Sequence, residues 1–158
     1  MSPPPSVLFV CLGNICRSPL AEAAFRKAAN EAGLEVEIDS AGTGNWHVGN
    51  PPDPRAQATA LANGIDISQL RARQLERDDF TRFTHIFAMD YENLATIQAR
   101  VPRGATAEIA LLLDWVPGRE GAAVSDPYYG GEERFEDTWA DMCLAAEALV
   151  ERFSRGAS

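Results

Sequence analysis

Val7-Leu8-Phe9-Val10-Cys11-Leu12-Gly13-Asn14-Ile15-Cys16-Arg17-Ser18-Pro19-Leu20 is the stretch on which the fold turns. Its first four residues are apolar and β-prone, the pattern of a strand buried on both faces, as in a parallel sheet. At its far end a helix opens, with Ser18 as a good cap and Pro19 well placed at a first helical position. Leu20 to Ala28 has strong helix propensity, and Gly33 is placed to close the helix. Cys11 to Ser18 is therefore a loop between the end of a buried strand and the start of a helix.

The alternation continues outward. Val36 and Ile38 interleave with Glu35, Glu37 and Asp39, which predicts a half-buried strand, and the Gly-, Asn- and Pro-rich run from Gly42 to Pro52 reads as a loop. A second helix is predicted from Pro54 to Gly64, a buried strand over His85 to Met89, and a helix from about Glu92 to Arg100. Ile109 to Leu113 predicts a fourth strand, although the same apolar run suits a helix. Phe135, Trp139, Met142, Cys143, Ala146, Leu149, Val150 and Phe153 recur at three- and four-residue steps, one stripe of a final helix facing a core. Alternating βα units of this kind predict an α/β fold, one domain with a four-stranded parallel sheet and helices on both faces. Ligands in such sheets bind beyond the carboxyl ends of the strands, where Cys11 to Ser18 lies. We place the domain at residues 6–154, with 1–5 as a flexible lead containing Pro3, Pro4 and Pro5, and 155–158 as a tail.

With 158 residues the chain is long enough for one hydrophobic core. Its net charge of −9 argues against a nucleic-acid or anionic-membrane partner. Three cysteines, Cys11, Cys16 and Cys143, are too sparse for a secreted disulfide framework, and no leader or membrane-length apolar run is visible, so the expected compartment is the cytoplasm. His47 and His85 are far apart and lack metal-ligand spacing, so no metal is expected. Glu22 reads as part of a solvated face, and Cys143 as inert core.

The loop has the makings of an oxyanion site. Backbone N–H groups and the positive end of a helix attract a phosphate. Gly13 and Asn14 are residue types that tolerate the positive φ such a tight loop needs. Arg17 can fold back as a planar clamp on two oxygens. The same field favours an anionic, nucleophilic sulfur at Cys11, and the Ser18 hydroxyl can donate to it.

Cys11, five residues, then Arg17-Ser18-Pro19, with Gly13-Asn14 and Cys16 inside, resembles the signature of the low-molecular-weight protein-tyrosine phosphatases. The likeness extends to Ser40-Ala41-Gly42-Thr43, Pro52-Asp53-Pro54-Arg55, Met89-Asp90 with Asn93-Leu94, and Asp126-Pro127-Tyr128-Tyr129-Gly130-Gly131. The resemblance implies a flavodoxin-like sheet, no cofactor, and hydrolysis of phosphotyrosine in proteins through a cysteinyl-phosphate. Cys11 would be the nucleophile, Arg17 the phosphate clamp and Asp126 the general acid. Leu12, Gly13, Asn14, Ile15, Cys16 and Ser18 would bind the phosphate, and Trp46, Tyr128 and Tyr129 would wall a slot for the aryl ring. Ser40 would hold Asn14 by a hydrogen bond, and Asp90 would orient the loop or Arg17. Members often carry a histidine where this chain has Ser68-Gln69-Leu70-Arg71, leaving Gln69 as the nearest polar support for Asn14. A monomer or weak dimer is the implied state.

Cys16 offers a reversible disulfide partner for Cys11. Two rival activities share such a loop. A thiol-dependent arsenate reductase needs resolving cysteines, and none lies between Arg17 and Cys143. A phosphoarginine phosphatase of this type carries threonine where this chain has Ile15, whose apolar side chain favours an aryl group.

Overall fold

A computed structural model of the chain describes residues 4–156. In order, it runs β1 (Ser6–Cys11), α1 (Arg17–Ala32), β2 (Glu37–Gly42), α2 (Pro54–Ala62), α3 (Asp79–Arg82), β3 (His85–Ala88), α4 (Tyr91–Ala99), β4 (Glu108–Leu111), a 3₁₀ turn (Leu112–Trp115) and α5 (Glu132–Gly156). The four strands form one parallel sheet in the order β2-β1-β3-β4. The central β1 is buried along its whole length. Its alternate side chains divide between two apolar layers, as a period of two requires. Val7, Phe9 and Cys11 join the layer under α1, α2 and α5, while Leu8 and Val10 join Phe80, Phe83 and Ile97 on the face of α3 and α4. Fully buried side chains such as Phe9, Phe25 and Leu20 each stabilise the fold by about 1.5–3 kcal/mol relative to exposure.

Three departures from the sequence expectation bear on the site. α1 begins at Arg17 rather than Pro19, and its N-cap residue, Cys16, makes no side-chain capping bond. Pro19 still falls in the first turn, where a backbone N–H has no intrahelical acceptor. β2 extends through Gly42, so that Cys11 stands opposite Gly42 across the sheet. Glu22, expected in solvent, is 3% exposed and points inward from α1.

Elsewhere the differences are smaller. Ile109 to Leu113 serves both patterns, a strand to Leu111 and then a 3₁₀ turn. The single turn of α3 carries too little periodicity to be read from sequence. On α5, Phe135, Trp139, Met142, Ala146 and Leu149 are buried, but Cys143 is only half-buried at the margin of the stripe. α5 continues through Arg155 and Gly156, two residues into the expected tail. At the other end the Pro5 carbonyl accepts the N–H of Glu37 at 3.2 Å. Residues 1–3 of the expected lead and 157–158 of the expected tail lie outside the described residues. Among the described residues no helix is long and apolar enough to cross a membrane.

Candidate active site

Cys11 is the last residue of β1 and Arg17 the first of α1, so the intervening loop crosses the carboxyl edge of the sheet. Its outer face is bonded to neighbouring segments. The carbonyls of Cys11 and Leu12 accept the N–H groups of Thr43 and Gly44, each at 2.9 Å, and the Ile15 carbonyl accepts that of Asp53 at 2.8 Å. The approach of β2 is so close that a Cβ on Gly42 would stand 2.9 Å from the Leu12 carbonyl oxygen. Glycine is required there by space.

Asn14 bends the loop. Its φ is 58°, and no other non-glycine residue among those described has a positive φ. Its side chain is fully engaged. Oδ1 accepts the backbone N–H of Arg73 at 3.0 Å, and Nδ2 donates to Ser18 Oγ at 2.8 Å and to Ser40 Oγ at 3.0 Å. Arg73, not Gln69, supplies the support that sequence reasoning sought. Because Asn14 Nδ2 can only donate, Ser18 Oγ accepts from it and has its own proton for Cys11 Sγ, 3.0 Å away.

The chain of bonds continues inward. Ser40 Oγ donates to Glu22 Oε1 at 2.8 Å, and Arg26 donates to Glu22 Oε2 at 2.9 Å. Burial pushes the Glu22 carboxyl above its usual range, against the lowering effect of the Ser40 and Arg26 hydrogen bonds. No single-sequence signal marks Glu22, because its neighbours come from β2, which carries Ser40, and from Gln69 to Arg71 in the segment between α2 and α3.

Arg17 is buried, and its Nη1 donates to Asp90 Oδ2 at 2.8 Å and to the Val124 carbonyl at 2.9 Å. Asp90 caps α4 with its other oxygen, which accepts the N–H of Asn93 at 2.7 Å. Asp126 comes from the loop before α5. Its Oδ2 lies 3.8 Å from Arg17 Nη2, and its Oδ1 accepts the N–H of Tyr128 at 3.0 Å, a local turn that Pro127 favours.

These groups surround one cavity of about 280 Å³. Cys11 and Arg17 are on its wall with Leu12, Gly13, Ile15 and Cys16; Trp46, His47, Asp126, Tyr128 and Tyr129 complete the rim. Trp46 is 70% exposed and Tyr129 92%, so the mouth is aromatic and open. Asn14 and Ser18 are not on the wall; both are buried beneath it, and they reach the cavity only through Cys11 and the backbone. His47 was missed by sequence reasoning, which weighed histidines only as metal ligands. Burial, with Asp53 adding to it, pushes the Cys16 thiol far above its ordinary value. Among the described residues no group of three or more His, Cys, Asp or Glu side chains is gathered as for a metal.

A cysteine sulfur beside a buried arginine, at the carboxyl edge of a parallel α/β sheet and at a helix N-terminus, defines a cysteine-based oxyanion site. The family model described as low molecular weight phosphotyrosine protein phosphatase matches residues 6–157. A low molecular weight phosphotyrosine protein phosphatase of Schizosaccharomyces pombe is 49% identical over 139 residues, 86% of this chain and 88% of the relative. The low molecular weight protein-tyrosine-phosphatase YfkJ of Bacillus subtilis is 48% identical over 147 residues, 92% and 93% of the two chains. The crystal structure of YfkJ superposes with a TM-score of 0.90 over 99% of both chains, at 40% identity. The chain belongs to the low molecular weight phosphotyrosine protein phosphatase family.

Proposed function

We propose that this protein hydrolyses phosphotyrosine monoesters in proteins through a cysteinyl-phosphate at Cys11. The observation that carries the reading is the meeting of Cys11, Arg17 and Asp126 around one cavity. Arg17 Nη1 is engaged by Asp90 and Val124, so the Nε–Nη2 edge of the guanidinium is the fork for two phosphate oxygens. The amides of the loop and the first turn of α1 take the remaining charge.

In the first step the Cys11 thiolate attacks phosphorus, the P–O bond to tyrosine breaks, and the Asp126 carboxyl passes its proton to the departing phenoxide. In the second, the Asp126 carboxylate accepts a proton from water as that water attacks the phosphocysteine; inorganic phosphate leaves and the thiolate returns. Ser18 donates to the sulfur as it departs. General acid catalysis of this kind contributes about 10²–10⁴-fold.

The substrate class is supported by the names of the relatives, which specify phosphotyrosine proteins, and by the pocket itself. Ile15 is buried on the wall, and Trp46, Tyr128 and Tyr129 offer π-faces to a phenyl ring. Ile15 favours an aryl ester over phosphoarginine, and the absence of a cysteine between Arg17 and Cys143 disfavours an arsenate reductase. We further propose that residues 6–154 act as one phosphatase unit, monomeric or weakly dimeric and cytoplasmic, without metal or cofactor.

The decisive experiment compares the parent protein with Cys11→Ser on phosphotyrosine and phosphoarginine peptides. The parent should release phosphate from the former in the presence of a chelator. The variant should release none while still binding inorganic phosphate. Turnover that survives in Cys11→Ser would sink the reading.

A further inference from the structure

Arg55, the second residue of α2, is not on the wall of the cavity, and the mechanism above gives it no part. Its guanidinium is nevertheless shared between two loops. Nη1 donates to the Gly130 carbonyl and Nη2 to the Tyr128 carbonyl, both at 3.0 Å. Nε and Nη2 donate to the two oxygens of Asp53 at 3.1 and 3.0 Å. The charged carbon lies 4.7 Å from the centre of the Phe135 ring and 5.5 Å from that of Tyr128. Both carbonyls belong to the loop that carries Asp126.

Asp53 faces the other way. It caps α2 by accepting the Arg55 N–H at 2.8 Å, and its own N–H is the donor to the Ile15 carbonyl of the Cys11 loop at 2.8 Å. Burial pushes the Asp53 carboxyl up, but the hydrogen bonds from the Arg55 side chain and N–H together outweigh it and hold it below the usual range. A continuous bridge therefore runs from the nucleophile loop through Asp53 and Arg55 to the acid loop.

Beyond the bonds at Val124, from Arg17 and to the Met89 carbonyl, and the 3.8 Å approach of Asp126 to Arg17, the acid loop has little else to hold it. Its remaining hydrogen bonds are local: Tyr128 N–H to Asp126, Gly130 N–H to the Pro127 carbonyl, and Arg134 N–H to the Gly131 carbonyl. Among the described residues, the hydrogen bonds that reach 125–131 from beyond this loop and α5 are the two from Arg55. A segment ending in Gly130-Gly131 has wide backbone freedom, so an external tether decides where its carboxylate stands.

We propose that Arg55 is a positioning residue that sets Asp126 over Cys11 by tying the acid loop to the nucleophile loop. An isolated surface ion pair would do nothing of the kind, since exposed pairs are worth little. Here a planar fork is required, because two carbonyls and a carboxylate must be met at once, and the compact ammonium of lysine cannot meet all three.

The inference rests on the hydrolase reading, and its test keeps the two apart. Values of kcat/KM are measured on phenyl phosphate, a poor leaving group, and on 2,4-dinitrophenyl phosphate, a good one, with the inhibition constant of inorganic phosphate alongside. Misplacing the acid by an ångström is costly, so Arg55→Met should lose about tenfold or more on phenyl phosphate. The dinitrophenyl ester and phosphate inhibition should stay within about twofold, because neither needs the acid. In an Asp126→Asn background, Arg55→Met should add no further selective loss. Arg55→Lys should show the same selectivity, and it carries the test if the methionine variant melts below the assay temperature. Equal losses on both esters, unchanged turnover of phenyl phosphate, or a full additional loss on top of Asp126→Asn would each overturn the proposal. A parent protein inactive on both esters would instead remove the hydrolase reading beneath it.

Discussion

Asp90 holds Arg17 by a single nitrogen, Oδ2 to Nη1 at 2.8 Å, while its Oδ1 caps α4 through the N–H of Asn93 at 2.7 Å. One carboxylate thus fixes the guanidinium to the start of a helix, and the Val124 carbonyl, 2.9 Å from the same nitrogen, fixes its plane. Asp90→Ala removes the orienter and leaves a buried arginine nitrogen short of a partner. Competitive inhibition by inorganic phosphate should weaken about tenfold, or ~1.4 kcal/mol. Asp90→Asn retains a cap and a neutral acceptor and should fall between. An unchanged inhibition constant in the alanine variant would remove Asp90 from any role in aiming Arg17.

Ser18 has one proton to give, and the donation from Asn14 directs it at Cys11. Hydrogen bonds to a charged partner contribute about 1.5–3 kcal/mol. Ser18→Ala should therefore slow the step in which sulfur leaves phosphorus by roughly tenfold or more. The phosphoenzyme would then accumulate, visible in rapid-quench experiments as a burst of product followed by a slower steady state. A variant with no larger burst than the parent would contradict the assignment.

Asp126→Asn cannot protonate a leaving oxygen. On phenyl phosphate kcat/KM should fall about 10²-fold or more, and on 2,4-dinitrophenyl phosphate far less. Equal slowing of both esters would take the acid role away from Asp126.

Glu22 is a carboxyl whose folded value is raised, chiefly by burial. A group raised in the folded state contributes its stability in full below its unfolded value and loses it as pH climbs through the folded one. Glu22→Gln keeps an acceptor for Ser40 and has no charge to desolvate. The melting temperature of Glu22→Gln minus that of the parent should rise as pH goes from about 4 to 8. A difference that is flat or falls over that window would show that the Arg26 and Ser40 bonds, not burial, govern this carboxyl.

Cys16 offers a chemical check on the environment of the loop. Burial first, and Asp53 next, push its thiol well above its ordinary value, and burial raises the half-buried Cys143 too. Thiols held protonated alkylate slowly. Iodoacetate near pH 7 should modify the parent at Cys11 and leave Cys11→Ser nearly untouched over the same interval. Rapid labelling of Cys16 in that variant would contradict its shielded state.

The strand, the loop and the helix that frame the pocket are legible because Val7 to Val10 is apolar at every position and Gly33 closes α1. The start of α1 is misread by two residues for a physical reason. A helix whose first turn faces an anion site carries no capping side chain, so Ser18-Pro19 looks like the entrance although Arg17 already lies inside. Glu22 is misread, and the long-range contacts of Arg55 are not anticipated, for a different reason. Each looks like an ordinary surface charge on a helix, and each acquires its role from residues far along the chain: Ser40 for one, Tyr128 and Gly130 for the other. Composition and periodicity report what a residue prefers, whereas these two are defined by what arrives beside them.

The sheet order has a further consequence for how the molecule comes into being. β1 is made early, yet its neighbours β2 and β3 come later, and the helix packed against α1 and the carboxylate of Asp126, which shares the cavity with Cys11, come later still. A nascent chain emerging from the ribosome carries Cys11 long before it carries Asp90 and Asp126, the carboxylates that stand beside Arg17. The cavity shared by Cys11 and Asp126 is therefore complete only when an early stretch of the polypeptide meets a late one.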